Sequence, residues 1–363
     1  MASTKPSLLV TGVAGSLGTR LLPLLEGFHV IGVDARPPSE LSTPIQFERI
    51  DLGQEPSCRR MVHILRETGA VGVVHLAFVL DPLRMGILNR DRMWKINVAG
   101  TARVLEAIAE ANRMGGEVKK FVHLSSVAVY GPKLPRPAQE GDKLGAEMLT
   151  YALHKKEADV AVQARAKDLG QCDVYLLRPH IFAGASVQNY MINYLRGTAY
   201  GNGRLGKMLE RRGKPLPLIF PFGGDYLAHK LQFVHVDDVA RVIVWILKSK
   251  KAQDQLTILN LAGRGDVLTV AQCARLMGAT IKRLPSLALC RAVILAMWNL
   301  GATSIPPDAF PYLIGSYTMD TSKLRALLGK DYEQVVRYSN EDALANSASP
   351  APAHAISRRE TAS

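Results

Sequence analysis

A tyrosine and a lysine four positions apart are the residues of this chain whose types and spacing best suit chemistry. Tyr151 and Lys155 would lie one turn apart on the same face of a helix. A phenol titrates near pH 10 in water, and a nearby ammonium group stabilises the phenolate and lowers that pKa. Such a pair moves a proton at a carbonyl or alcohol oxygen, which hydride transfer at the attached carbon requires.

Two serines upstream support this interpretation. Ser125 and Ser126 follow a short apolar run and precede the sequence Val-Ala-Val-Tyr-Gly that ends at Gly131. A hydroxyl beside the phenol would orient a substrate oxygen by hydrogen bonding. A tyrosine and a lysine at this spacing are ordinarily a surface pair, but the serine run ahead of them favours a proton-transfer site. We interpret His154, inside the same motif, as a surface residue.

A glycine-rich turn near the start of the chain has the spacing of a dinucleotide-binding loop. It follows a strand pattern at residues 7–10 and precedes a helix pattern. Gly12 permits the sharp turn, Gly15 lets the backbone approach a pyrophosphate, and Gly18 lets the helix pack closely on the sheet. The N-terminus of that helix offers free N–H groups to phosphate. The residues of this turn that we expect at the dinucleotide are Gly12, Ala14, Gly15, Ser16, Leu17 and Gly18.

An acidic residue at the end of the second predicted strand bears on the choice of cofactor. Asp34 lies 22 residues after Gly12, close to the separation of about 20 expected for a carboxylate on the adenosine ribose. A carboxylate accepts hydrogen bonds from a free 2′-hydroxyl and repels a 2′-phosphate, so the sequence favours NAD. Arg36 keeps NADP open as a cofactor, because its cation would suit a 2′-phosphate.

Alternating strand and helix patterns in the first half of the chain predict the elements that position these groups. Short, nearly continuous apolar runs are typical of strands in a parallel sheet that is covered on both faces. We therefore predict an α/β protein, with a Rossmann-type doubly wound parallel sheet and a smaller C-terminal substrate-binding region. The predicted strands occupy residues 7–10, 29–33, 46–50, 70–76, 120–124 and 174–177.

The alternation breaks after about Pro179, and this predicts the domain organisation. We assign residues 1–180 to an NAD(P)-binding Rossmann domain. Residues 181–338 would form mainly the substrate-binding region, with strands and helices near 232–262 returning to the Rossmann core. Asn, Ser, Ala and Pro dominate residues 339–363, which predicts a disordered tail.

Together these motifs resemble the extended short-chain dehydrogenase/reductase family, within the superfamily of NAD-dependent epimerases and dehydratases. The glycine spacing G-x-x-G-x-x-G, the serine strand and the Y-x-x-x-K helix follow one another in the family's order. Three further segments, His75 to Ala77, Ile96 to Thr101 and Phe233 to Ala240, fit the extended branch. The resemblance runs from residue 7 to about residue 262.

The resemblance implies roles for individual residues. Ser126 would be the catalytic serine, since the family places this hydroxyl four residues before the tyrosine of Val-Tyr-Gly, here Tyr130. Tyr151 would be the acid/base, and Lys155 would also hold the nicotinamide ribose. Asn97 would be structural or part of a proton relay, and the protein would be a homodimer. The further residues placed at the cofactor are Asp51, Leu52, Leu76, Ala77, Asn97, Pro179 and Ile181.

Departures from one branch of the family bear on the substrate. UDP-galactose 4-epimerases carry an asparagine after the sixth strand, where this chain has Ile181, and an arginine where it has Gln232 or Leu231. An apolar run from Leu284 to Leu300 replaces their diphosphate-binding segment. Each charged hydrogen bond to a phosphate contributes about 1.5–3 kcal/mol, so the loss of several such contacts would weaken the binding of a nucleotide sugar. We therefore favour a fairly apolar alcohol or ketone, as on the 3β-hydroxysteroid dehydrogenase and dihydroflavonol reductase side of the family.

Two other functions stay open. One is a nucleotide-sugar epimerase or dehydratase, in which the basic stretch 196–214 would supply replacement phosphate contacts. The stretch could also bind another phosphate-bearing ligand or an anionic membrane surface. We favour the simpler interpretation that it is a solvated loop, because a run of charges alone is weak evidence for a ligand. A non-catalytic dinucleotide-sensing regulator is disfavoured, because such proteins usually lose the tyrosine or the lysine. The cations of the stretch are Arg196, Arg204, Lys207, Arg211, Arg212 and Lys214.

Composition narrows the class of protein. The 363 residues are 47% hydrophobic and 21% charged, as in ordinary globular proteins. The chain has a net charge of +13, but it lacks the sequence motifs of a nucleic-acid-binding protein. Four widely spaced cysteines predict no disulfide framework and no metal site. The run from Leu287 to Leu300 is too short to span a bilayer. We expect a cytoplasmic protein with a small-molecule substrate, and neither nucleic acid nor an integral membrane segment.

Overall fold

Short runs of aliphatic and β-branched residues form the central sheet. In the computed structural model, which describes residues 5–38, 43–80, 89–250, 252 and 254–348, seven parallel strands lie in the order β3-β2-β1-β4-β5-β6-β11. The predicted α/β fold with a Rossmann-type parallel sheet is confirmed. The strands are β1 Ser7–Thr11, β2 His29–Asp34, β3 Gln46–Arg49, β4 Gly72–His75, β5 Lys120–Leu124, β6 Asp173–Pro179, β7 Ile181–Ala183, β8 Leu218–Pro221, β9 Lys230–Leu231, β10 Phe233–His235, β11 Leu256–Leu261, β12 Leu268–Thr269 and β13 Ile281–Leu284.

Helices cover both faces of the sheet, because successive strand residues point to opposite sides. Leu9, Val73 and Phe121 lie in one apolar core, and Leu8, Val74 and Val122 in the other. The described helices are Ser16–Leu21, Ser57–Thr68, Arg90–Trp94, Gly100–Arg113, Thr150–Arg165, Tyr190–Arg196, Arg204–Arg211, Val236–Lys248, Val270–Leu276, Leu287–Asn299, Phe310–Leu313, Ser322–Leu328, Tyr332–Val335 and Asn340–Ala345.

The strand order reverses between β1 and β4. From β1 the chain builds outwards through β2 to β3, and from β4 it builds the other way through β5 to β6. In open α/β sheets such a reversal leaves a crevice at the carboxyl ends of the strands, where ligands bind. Thr11 and His75 end the two strands at this point, and the Thr11 hydroxyl contacts His75 Nδ1 at 2.6 Å.

The second half of the chain adds short two-stranded pairings around this crevice. Strand β10 pairs with β7 and β13 with β8, both in parallel, while β12 pairs with β9 in antiparallel fashion. Strand β11 returns to the edge of the central sheet beside β6. The region after Pro179 therefore contacts the Rossmann core at several places.

The prediction of a disordered tail from residue 339 is wrong for residues 339–348. Ser339 caps the helix Asn340–Ala345 in a reciprocal capping box with Asp342. The buried Asn340 side chain accepts a hydrogen bond from Phe233 N at 2.8 Å and donates to Gly263 O at 3.2 Å. These contacts order the segment despite its polar composition, because they satisfy buried backbone groups. Residues 349–363 of the predicted tail lie outside the described residues.

Replacing Asn340 by alanine should lower the free energy of unfolding by about 2–4 kcal/mol, because Phe233 N and Gly263 O would lose a buried partner. Urea denaturation followed by circular dichroism measures this change. Glu341→Ala, at an exposed position of the same helix, is the matched control. Equal stability of the two variants would contradict a docking role for Asn340.

Candidate active site

A cavity of about 290 Å³ opens at the carboxyl ends of the central strands, where the strand order reverses. The glycine turn after β1, the serines after β5 and the residues after β6 meet there with the helix Thr150–Arg165. Of the predicted site residues, those that line the cavity are Gly12, Gly15, Ser16, Leu17, Gly18, Leu76, Ser126, Tyr151, Lys155, Pro179 and Ile181. Those outside its lining are Ala14, Asp34, Arg36, Asp51, Leu52, Ala77 and Asn97.

The glycine turn packs so closely on neighbouring backbone that side chains are excluded at two positions. Gly12 has a φ of +73°, and a Cβ on it would lie 2.4 Å from the backbone nitrogen of Ala77. A Cβ on Gly18 would lie 2.6 Å from Gly12 O. The turn is therefore restricted to glycine at these positions, and its backbone stands at the cavity wall where the helix begins at Ser16. Exposed backbone at the start of a helix suits the phosphates of a dinucleotide.

Two carboxylates, those of Asp34 and Asp51, were predicted to contact the adenosine part of the cofactor. Asp34, at the end of β2, accepts hydrogen bonds from Ala14 N at 3.1 Å and Arg36 N at 3.3 Å. Asp51 accepts one from Gly53 N at 2.9 Å and is 3.3 Å from the guanidinium of Arg92. Asp34 thus stands beside the glycine turn, at the position expected for a group that binds the adenosine ribose.

Tyr151 and Ser126 meet inside the cavity. The Ser126 side chain forms a hydrogen bond with the phenol, and this bond lowers the phenol pKa. Burial is the larger effect and raises the pKa of Tyr151 to about 12. The edge of the Phe78 ring packs against the Tyr151 ring, with centroids 5.8 Å apart. In this state the phenol therefore holds its proton.

Lys155 lies one helical turn further along and is almost fully buried. Its ammonium group donates a hydrogen bond to Leu124 O at 2.5 Å and lies 3.7 Å from the centre of the Phe78 ring. Burial lowers the pKa of Lys155 to about 7, an effect that the nearby carboxylate of Asp159 partly offsets. A change in the local charge at this site would thus shift the protonation of Lys155 near neutral pH.

A buried ion pair behind the site is a feature that the sequence analysis missed. Arg178, in β6, donates two hydrogen bonds of 2.8 Å to the carboxylate of Asp159. Asp159 also accepts a hydrogen bond from Ser125 Oγ at 2.6 Å. The hydroxyl of Ser125 is therefore engaged behind the site, whereas Ser126 faces Tyr151. Asp159 stands one turn after Lys155, and this spacing was the signal that could have revealed the pair.

Asn97 and His154 lie away from the cavity. The Asn97 amide accepts a hydrogen bond from Val79 N at 2.7 Å and donates to Val79 O at 3.1 Å. Its nitrogen also approaches His154 Nδ1 at 3.3 Å. The expectation that His154 is a surface residue is wrong, because its side chain is buried in this contact between two helices and the segment after β4.

The far end of the cavity is apolar and comes mostly from the second half of the chain. His180 stands there stacked on Tyr317, with centroids 5.4 Å apart. Burial lowers the pKa of His180 to about 3, so the ring is neutral. It accepts from Ile181 N at 2.9 Å and contacts Tyr317 O at 3.0 Å. The lining residues without a site prediction from the sequence are Phe78, Leu80, Leu124, Ser125, Val127, Ala128, Leu149, His180, Phe182, Val187, Gln188, Asn189, Tyr190, Met191, Ala309, Tyr312, Leu313 and Tyr317.

Replacing Lys155 by methionine should change the pH dependence of stability in the cofactor-free protein. Below pH 7, keeping the protonated lysine buried costs folding free energy, and this cost is relieved as the pH rises towards the ordinary lysine value. Lys155→Met should therefore gain most over the wild type near pH 6. The difference in the free energy of unfolding between the variant and the wild type should then shrink between pH 6 and pH 10, by at most about 5 kcal/mol. Urea denaturation across this range measures it, and a difference that does not vary with pH would contradict the lowered pKa.

Comparison with known proteins agrees with this site. The model of the NAD dependent epimerase/dehydratase family matches residues 8–262. This span contains the glycine turn, the serine strand, the Tyr–Lys helix and nearly all of the central sheet. The resemblance and the prediction of an NAD-dependent enzyme are confirmed at the level of the family.

Solved structures share the fold over nearly the whole chain. MoeE5 in complex with UDP-glucuronic acid and NAD is 22% identical, covers 94% of this chain and 97% of its own, and has a TM-score of 0.62. The Thermus thermophilus UDP-glucose 4-epimerase complex with NAD is 18% identical, with 94% and 97% coverage and a TM-score of 0.63. The dTDP-glucose 4,6-dehydratase of Bacillus anthracis in complex with NAD is 19% identical, with 94% and 95% coverage and a TM-score of 0.61. With the family match across most of its length, the chain belongs to the NAD-dependent epimerase/dehydratase family.

Proposed function

We propose that this protein is an NAD-dependent oxidoreductase that acts on a secondary alcohol or ketone of a fairly apolar substrate. The observation that carries the proposal is the charge of the cavity: among the described residues that line it, Lys155 is the one charged side chain. The rest of the substrate end is aromatic or aliphatic, apart from the neutral ring of His180 and the uncharged amides of Gln188 and Asn189. Such a wall favours an apolar ligand positioned by a few polar groups.

The residues around the glycine turn fit a bound dinucleotide. The turn would hold the pyrophosphate, because its backbone lines the cavity where the helix Ser16–Leu21 begins. The Asp34 carboxylate would accept hydrogen bonds from the ribose hydroxyls, and its negative charge favours NAD over NADP. Leu76, Pro179 and Ile181 would contact the cofactor along the cavity wall. Asp51 and Leu52 would flank the adenine.

Tyr151 is the proposed acid/base. In reduction the phenol donates its proton to the carbonyl oxygen, and in oxidation the phenolate accepts the proton of the substrate hydroxyl. Ser126, already bonded to the phenol, orients the same oxygen. Lys155 stabilises the phenolate with its positive charge when it is protonated. Bound NAD supplies the hydride acceptor, or in its reduced form the donor, at the carbon that bears this oxygen.

The alternative is a nucleotide-sugar epimerase or dehydratase, which the likeness to MoeE5 with UDP-glucuronic acid favours. A diphosphate in the cavity would need cations that its described lining lacks apart from Lys155. The basic stretch does not supply them there. Arg196 uses its guanidinium on the carbonyl oxygens of Val187 and Ser347, and the other cations of 196–214 lie away from the cavity lining. We therefore rank this function second.

A non-catalytic dinucleotide sensor ranks third, because Ser126, Tyr151 and Lys155 are all kept and meet at the cavity. A homodimer and a cytoplasmic location complete the proposal; both rest on the family resemblance and on the composition.

Replacing Tyr151 by phenylalanine should reduce turnover by a factor of about 10²–10⁴, since the acid/base is lost. Affinity for NAD, measured by isothermal titration calorimetry, should change little. Tyr312→Phe is the matched control: it also lines the cavity but donates its hydroxyl to Ala128 O at 3.1 Å. Full activity in Tyr151→Phe would overturn the mechanism.

The cofactor and the substrate class can be tested together. Mass spectrometry of nucleotides released from denatured protein should show little retained NAD, and added NAD should bind reversibly. UDP should not compete with apolar ketones for the NADH-loaded protein, because the described lining offers no cationic pair for a diphosphate. Tightly retained NAD together with turnover of a UDP-sugar would establish the alternative function instead.

A further inference from the structure

One face of the helix Leu287–Asn299 is apolar and yet exposed. Leu289 and Leu295 are 41% and 48% exposed, and Leu300, just after the helix, is 64% exposed. Cys290 and Ile294 occupy the opposite side and are buried. The exposed positions recur at helical spacing, so they form one continuous surface. This apolar face consists of Ala288, Leu289, Ala292, Leu295, Ala296 and Leu300, with Asn299 as the one polar residue exposed among them.

Cations flank the apolar face at both ends. Lys282 and Arg283, on β13, are exposed just before the helix, and Arg291 is exposed at its edge. At the other end, Gly203 N donates a hydrogen bond to Gly301 O at 3.1 Å, which joins the helix Arg204–Arg211 to this surface. Glu210 is the one acidic residue of the sequence between positions 196 and 224. The exposed cations on this helix and in the residues just after it are Arg204, Lys207, Arg211, Arg212 and Lys214.

We propose that the apolar face and its flanking cations dock on the surface of an anionic phospholipid bilayer, with the helix lying in the plane of the interface. An apolar helical face inserts between lipid headgroups, and lysine and arginine beside it pair with lipid phosphates. The protein's net charge of +13 has the complementary sign. Within the described ranges, every helix falls short of what a bilayer crossing requires, so the contact would be peripheral.

The charges argue against two other occupants. A second copy of the chain packed symmetrically on this face would bring like-charged rims together, which is unfavourable. A nucleic acid would contact the cations but leave the apolar face in water. A bilayer satisfies both parts of the surface. The helix also packs on the segment Pro307–Ala309, and Ala309 lines the cavity. The proposed docking surface does not depend on which class of substrate the cavity binds.

Sedimentation with extruded vesicles tests the proposal on the full chain. The protein should bind vesicles of phosphatidylcholine with about 30 mol% phosphatidylglycerol and bind pure phosphatidylcholine much less. Leu289→Glu with Leu295→Glu should weaken binding roughly tenfold or more, and so should Arg211→Glu with Arg212→Glu. The double variant Arg59→Glu with Arg66→Glu carries the same change in charge on exposed positions of the helix Ser57–Thr68 and should still bind.

Insertion needs its own measurement. The chain already holds Trp94, Trp245 and Trp298, so each variant is compared with the wild type in anionic vesicles that contain brominated lipid. Leu295→Trp should add fluorescence that the lipid quenches, whereas Met114→Trp, at an exposed position on the Rossmann side, should add fluorescence that is not quenched. The proposal is overturned if the wild type does not sediment with anionic vesicles. It is also overturned if Leu289→Glu with Leu295→Glu leaves binding unchanged, which would indicate a purely electrostatic anion site such as one for nucleic acid. Conversion of a dimer to a monomer by that double variant, without vesicle binding in the wild type, would identify the face as a subunit interface.

Discussion

The ion pair between Arg178 and Asp159 holds the helix Thr150–Arg165 against the sheet, and the rest of the candidate site depends on that contact. Both side chains are almost completely buried, and each carries further hydrogen bonds, from Ser125 to the carboxylate and from Arg178 to the Tyr130 hydroxyl at 2.8 Å. Removing one partner of such a pair leaves an uncompensated buried charge, at a cost of about 3–5 kcal/mol. The pair therefore sets the position of the helix that carries Tyr151 and Lys155 relative to β5 and β6.

With the helix held in this way, burial decides the proton chemistry. Low polarity around Tyr151 favours the neutral phenol, and the same surroundings disfavour the charged form of Lys155. Phe78 contacts both side chains, so it shields them from water on one side. The charge states of the two groups therefore respond to any charge that a ligand brings into the cavity.

The second half of the chain supplies much of the far end of the cavity. Tyr312, Tyr317 and Ala309 belong to a segment that closes the substrate end of the cavity. Elsewhere in this half, Asn340 bonds to Phe233 of β10 and Ser347 bonds to Gly184 just after β7. Both come from the segment that composition alone assigns to a disordered tail. A few buried hydrogen bonds are enough to order such a segment, because the composition of a sequence does not reveal which backbone groups it must satisfy.

The sequence by itself determined the α/β fold, the parallel strands, the glycine turn and the Ser–Tyr–Lys set, because these follow from local periodicity and from spacings within one element or one turn. Only the tertiary structure decided that Ser126 faces Tyr151 while Ser125 is bonded to Asp159, that Asn97 and His154 lie behind the site, and that the described cavity lining holds a single charge. These outcomes depend on contacts between residues far apart in the chain. Local patterns carry no information on such contacts, which arise when the strands and helices pack together.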